Sequence, residues 1–187
     1  MAKFFGNLHL VLAAGLLLAL VVIFAVPANA VAEQAGLRWL HLFFGITWIG
    51  LLYYFNFVQI PTMPKVPAEL KPGVSKYIAP SALFFFRWAA ALTVLTGALI
   101  AWRSAYLVEA LTLQSGFQLI GIGMWLALIM AFNVWFVIWP NQKKALGIVP
   151  AEDAAKAKAA STAMIFSRIN TLLSLAMLYC MVNFNGG

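Results

Sequence analysis

Residues 39–61 read WLHLFFGITWIGLLYYFNFVQIP, an apolar run interrupted by His41, Asn56 and Gln59. An imidazole in such a run is either a metal ligand or a packing and hydrogen-bonding group, and carboxamides hold polar partners. At about 100° per residue, His41, Gly45, Trp48, Leu52, Asn56 and Gln59 stay within an arc of about 80°, forming one stripe along a helix. The stripe must face protein, because an unpaired polar group in hydrocarbon costs several kcal/mol.

Two arginines lie in comparably apolar surroundings, Arg87 in FFFRWAAALT and Arg168 in FSRINTLLS. They fall about 12 Å and about 9 Å beyond the starts of their segments at 1.5 Å per residue. Asn56, Asn133, Asn170 and Thr171 reach similar depths, so a polar cluster is expected in one half of a bundle. It contains no carboxylate, since Glu33, Glu69, Glu109, Glu152 and Asp153 all lie in loops or at their margins. Two guanidinium groups there either share an anion, such as a haem propionate, an organic acid or a lipid phosphate, or snorkel to headgroups.

His41 and His9 sit near opposite ends of their segments, about 20 Å apart in depth. They cannot clamp one haem iron within a monomer, where axial nitrogens must be about 4 Å apart. For a bound haem b, His41 is the better ligand: it lies on the polar face, and Gly45 one turn later leaves room for a flat macrocycle. Without haem, His41 is a packing or hydrogen-bonding residue. Paired carboxylates within the apolar segments, GxSxG, a Gly-rich phosphate loop and a zinc-ligand set are all missing, so any chemistry comes from a cofactor or a partner. The single cysteine, Cys180, forms no disulfide within the chain, and there is no CxxCH motif.

The elements that must carry these residues follow from composition. With 64% hydrophobic and 9% charged residues, the chain reads as an all-α integral membrane protein. Five segments are long enough to cross about 30 Å of hydrocarbon, near 8–26, 37–60, 79–102, 117–139 and 162–183, in a single domain over 1–187. Lys3, the apolar stretch 10–26 and the triplet Ala28-Asn29-Ala30 resemble a cleavable signal, but the segment is read as a retained span. Lys3, Lys65, Lys71, Lys76, Lys143, Lys144, Lys156 and Lys158 fall on one side and Arg38 and Arg103 on the other, which predicts a cytoplasmic amino terminus. The net charge of +7 then reflects loop lysines facing anionic lipid, with no nucleic acid implied. Prolines 61, 64, 67, 72 and 80 predict a stiff, extended 61–78 connection, and AEDAAKAKAA a short surface helix. Ala89, Thr93 and Gly97, like Gly15 and Ala19, recur every fourth residue and predict close helix packing.

The sequences WLH with GITWIG, YYFNFVQ, FRWAAALTVLTG and SRINTLLSLAML together resemble the membrane domain of the bacterial urate hydroxylase family, the urate oxidase N-terminal domain, over most of 37–183. The resemblance implies a multi-pass protein of the bacterial inner membrane, in a short form lacking the cytochrome c domain that follows in longer members. It implies cofactor-dependent urate oxidation as the associated activity, and His41, Trp48, Arg87, Arg168 and Asn170 as cofactor-binding positions. Two functions stay open: a redox protein whose His41 holds a b-type haem and passes electrons to a quinone or a separate cytochrome c, or a non-catalytic structural or assembly subunit of a larger membrane complex.

Overall fold

The structure, a computed structural model, describes residues 2–25 and 32–184. Among these residues there is no strand, and five helices are long and apolar enough to cross a membrane. In chain order they are α1 (Leu8–Ala25), α2 (Glu33–Lys65), α3 (Lys71–Arg103), α5 (Gln118–Ala145) and α6 (Asp153–Asn183), with a short α4 (Leu107–Leu111) between α3 and α5. Asn7 starts α1 as a cap, its Oδ1 accepting from the amides of His9 at 3.0 Å and Leu10 at 3.3 Å. The Ala28-Asn29-Ala30 triplet lies outside the described residues.

The helices run further than the apolar segments do, and three prolines explain how. Pro61, Pro80 and Pro140 sit inside α2, α3 and α5, where a proline lacks an N–H and its ring presses on the carbonyl four residues back. Each follows a π-helical stretch, Tyr54–Gln59, Val74–Ile78 and Asn133–Ile138. In each case the residue before the proline donates five residues back: Ile60 to Phe55, Ala79 to Val74, Trp139 to Val134. Widening the turn ahead of the ring relieves the clash and lets the helix continue. The expected extended connection over 61–78 is therefore mostly helical, with residues 66–70 as its non-helical turn. Likewise AEDAAKAKAA is not a separate surface helix, because α6 runs unbroken from Asp153.

The core forms where α2, α3, α5 and α6 meet, around Trp48, Leu52, Phe86, Met130, Val134 and Ile138. On α6 the buried residues are Ala159, Ala163, Ser167, Asn170, Ser174, Met177 and Cys180, steps of three and four residues that make one inward seam. Glycines set the closest approaches. A Cβ on Gly123 of α5 would lie 2.8 Å from Cys180 Cβ on α6, and one on Gly121 would run into the Ala110 carbonyl of α4. At the end opposite the lysines, Tyr106 stacks on Phe117, Phe184 meets the Tyr106 ring edge-on, and Arg103 pairs with Glu33 at 2.6 Å. None of the residues of α1 is buried, and a Cβ on Gly15 would meet nothing within 4 Å.

Candidate functional site

The polar stripe of α2 faces its neighbours as expected, with Trp48 and Leu52 fully buried and Leu42, Phe43, Ile46, Phe57 and Val58 exposed on the other side. At one end of the stripe, His41 Nδ1 lies 3.0 Å from the Thr93 carbonyl and 3.2 Å from Thr96 Oγ1 on α3. A carbonyl only accepts, so Nδ1 carries the proton and the Nε2 lone pair points elsewhere. The small-residue stripe of α3 is what receives this ring: a Cβ on Gly97 would sit 2.9 Å from His41 Cε1. Gly45 does not open space for a macrocycle, because its Cβ position is already in van der Waals contact with Thr93 Cγ2 at 3.9 Å.

In mid-bundle, three hydrogen-bonded links tie α6 to its neighbours. Asn56 Nδ2 donates to the Leu52 carbonyl at 2.9 Å and to Ser167 Oγ at 2.8 Å. Tyr53 and Ser174 share a hydroxyl–hydroxyl bond of 3.0 Å. Asn170, wholly buried, accepts from Asn133 Nδ2 at 2.8 Å and donates to the Met130 carbonyl at 2.9 Å. Both ends of the Asn170 amide are thus committed to α5, so it clasps two helices where the π stretch of α5 begins. Trp48, also wholly buried, has an indole N–H without a partner among the described residues.

The two arginines come apart. Arg87 lies over the Trp139 ring of α5, with the guanidinium carbon 3.6 Å from the centroid, while the Arg87 carbonyl accepts from Trp135 Nε1 at 3.1 Å. Arg168 is exposed on the outer face of α6, because its neighbours Ser167 and Asn170 take the inward positions. The expectation of two interior arginines around one anion does not hold, since only one of them has a partner in the bundle. The π face of Trp139 supplies the compensation for Arg87 that no carboxylate could.

Sequence reasoning missed a crevice at the lysine-rich end, where all four packed helices contribute walls. Its volume is about 150 Å³, and its polar lining is Gln59, Gln142 and Ser167. The apolar lining includes Phe55, Leu83, Leu146, Ala163 and Met164. Gln59 Oε1 and Asn56 Oδ1 are buried acceptors with no donor among the described residues. Ser167 was legible as a neighbour of Arg168 in the SRIN motif; Gln142 carried no signal, standing among loop-margin residues.

A haem b in this chain can be tested against these residues. The imidazole is suitable, with Nδ1 anchored on a carbonyl and Nε2 left over, as in metal-bound histidines. The room is not there: α3 fills the space at Gly45 and Gly97, and neither the crevice nor the cavity between α1 and α2 is lined by His41. A cavity of about 150 Å³ accepts one benzene-sized ring, not a four-pyrrole macrocycle. The residues therefore do not fit a haem held inside one chain.

Residues 102–185 match the family described as "Urate oxidase N-terminal". Over that stretch the chain is similar to the urate oxidase N-terminal family. The matched stretch covers less than half of the 187 residues and takes in Asn133, Gln142, Ser167, Arg168 and Asn170, but not His41, Trp48, Gln59 or Arg87. No curated protein and no solved structure matches the chain.

Proposed function

We propose that this chain is the membrane-embedded component of a urate-oxidising redox system, working beside a separate electron carrier such as a quinone or a cytochrome c. The observation that carries the reading is the family match over α5 and α6, the two helices that supply Gln142 and Ser167 to the crevice. The chain contributes binding and positioning in the bilayer. Bacterial membranes containing the chain and a c-type cytochrome acceptor should reduce that acceptor when urate is added, and membranes without the chain should not. Equal rates in the two preparations would remove the reading.

A second reading, a non-catalytic subunit of a larger complex, is favoured by α1. No residue of that helix is buried, and a Cβ on Gly15 would meet nothing within 4 Å. Co-purification of a stoichiometric partner lost on deleting residues 8–25, without any urate-dependent turnover, would put this reading first.

A further inference from the structure

We infer that Arg87 and Lys143, which both reach the Trp139 indole, hold the phosphodiester of one anionic phospholipid near the lysine-rich end of the bundle. The Arg87 guanidinium carbon lies 3.6 Å from the Trp139 ring centroid and the Lys143 ammonium 5.7 Å from it, so the two positive charges are within about 9 Å of one another. Stacking on an indole solvates a cation but neutralises none of its charge. No carboxylate does so either: among the described residues the ion pairs are Arg103 with Glu33 and Lys156 with Asp153. The guanidinium makes one hydrogen bond, a weak 3.4 Å contact with the Leu83 carbonyl. Its other N–H groups and the Lys143 ammonium have no partner among the described residues, and they are not buried as the Trp48 indole N–H is.

Depth and surroundings make the anion a lipid's. Leu83 lies one turn nearer the lysines than Arg87, so the guanidinium points back toward that end, and Lys143 lies one turn beyond Trp139 in the same direction. Arg87 stands about 12 Å inside its apolar segment, and one turn of reach brings the guanidinium to about 6 Å from the boundary, close under the lipid headgroups. A phosphate held by two donors at about 2.8 Å each spans about 8 Å, which matches the separation of the two cations. Deeper in the bilayer, Trp88 of α3 and Trp135 of α5 meet edge to face at 5.3 Å, and the Phe84 and Trp88 side chains are exposed beside them. These apolar rings lie against acyl chains, which a free phosphate does not have. A zwitterionic lipid brings an ammonium of its own, so two unneutralised cations favour a headgroup that is anionic overall.

Native mass spectrometry of the full chain in detergent, titrated with dioleoylphosphatidylglycerol or with dioleoylphosphatidylcholine, tests the site with the acyl chains held constant. One phosphatidylglycerol per chain should bind about tenfold more tightly than phosphatidylcholine, the effect of two cations on a net charge. Lys143→Gln should weaken that lipid about tenfold, the loss of one charge-assisted hydrogen bond, and Arg87→Gln by at least as much. Lys144→Gln removes an equal charge from the neighbouring, exposed position and should change the affinity by less than about twofold. Lys143 lies outside the packed core, so its variant decides the matter should Arg87→Gln fail to fold. Millimolar inorganic phosphate should leave the lipid bound; displacement by it would assign the two cations to a water-borne phosphate and overturn the lipid. Equal affinity for the two lipids, or an equal effect of Lys143→Gln and Lys144→Gln, overturns the site.

Discussion

Arg87 and Arg168 have the same side chain in similarly apolar sequence, yet their neighbours make them different residues. Arg87 stacks on Trp139 and reaches the Leu83 carbonyl at 3.4 Å, whereas Arg168 is exposed. Arg87→Gln should therefore destabilise the bundle by about 1–2 kcal/mol, the range of a partly desolvated cation–π contact. Arg168→Gln should change stability by less than about 0.5 kcal/mol. Unfolding of the purified protein in mixed micelles measures both, and equal losses would contradict the difference in environment. Asn170 is the opposite case from Arg168. Asn170→Leu leaves Asn133 Nδ2 buried without its partner and removes the side-chain donor from the Met130 carbonyl, for an expected loss of about 1–2 kcal/mol, the upper part of the range for hydrogen bonds between membrane helices.

At the scale of the element, close approach between helices depends on glycines that face backbone or rigid rings. A Cβ on Gly97 would lie 2.9 Å from the His41 ring, which is itself pinned to Thr93, so Gly97→Ala should push α2 from α3. Gly45→Ala, whose nearest neighbour would be 3.9 Å away, should be tolerated. The same reasoning applies between α5 and α6. Gly123→Ala would bring a methyl to 2.8 Å from Cys180 Cβ, so the buried Cys180 thiol should react with a maleimide several-fold faster in that variant than in the native protein. Gly15→Ala on α1 is the control, since its added methyl meets nothing within 4 Å. A Cys180 labelling rate unchanged by Gly123→Ala would show that the methyl is accommodated without parting the helices.

For the whole molecule, the asymmetry of charge makes a topological prediction. Seven lysines lie between Lys65 and Lys158 at one end of the bundle, and the opposite end carries Arg38 and Arg103. Retention of positive charge in the cytoplasm places the α2–α3 and α5–α6 turns inside and α4 outside. A membrane-impermeant thiol reagent added to the side opposite the cytoplasm should label Gln114→Cys and spare Lys156→Cys, with Cys180 buried in both. Labelling of Lys156→Cys from that side would reverse the orientation.

The number of helices long and apolar enough to cross a membrane and the inward direction of the α2 stripe were determined by the sequence alone, because both follow from composition and a 100° periodicity that involve one helix at a time. The SRIN motif shows where that kind of reasoning stops. It identified a polar patch, but only packing decided that Ser167 and Asn170 turn inward and Arg168 outward, since four consecutive residues cover nearly a full turn. His41 is similar: its helix face was legible, while its partners Thr93, Thr96 and Gly97 lie more than fifty residues away and depend on the register of α2 against α3. The prolines were read by their local rule, as breaks. In the folded chain, a widened turn before Pro61, Pro80 and Pro140 satisfies the backbone differently and extends the helices past the apolar segments. The extension past Pro140 carries Gln142 to a crevice that Gln59 and Ser167 line from two other helices. Tertiary structure alone made that site, because its parts share no sequence neighbourhood and meet only when four helices close around them.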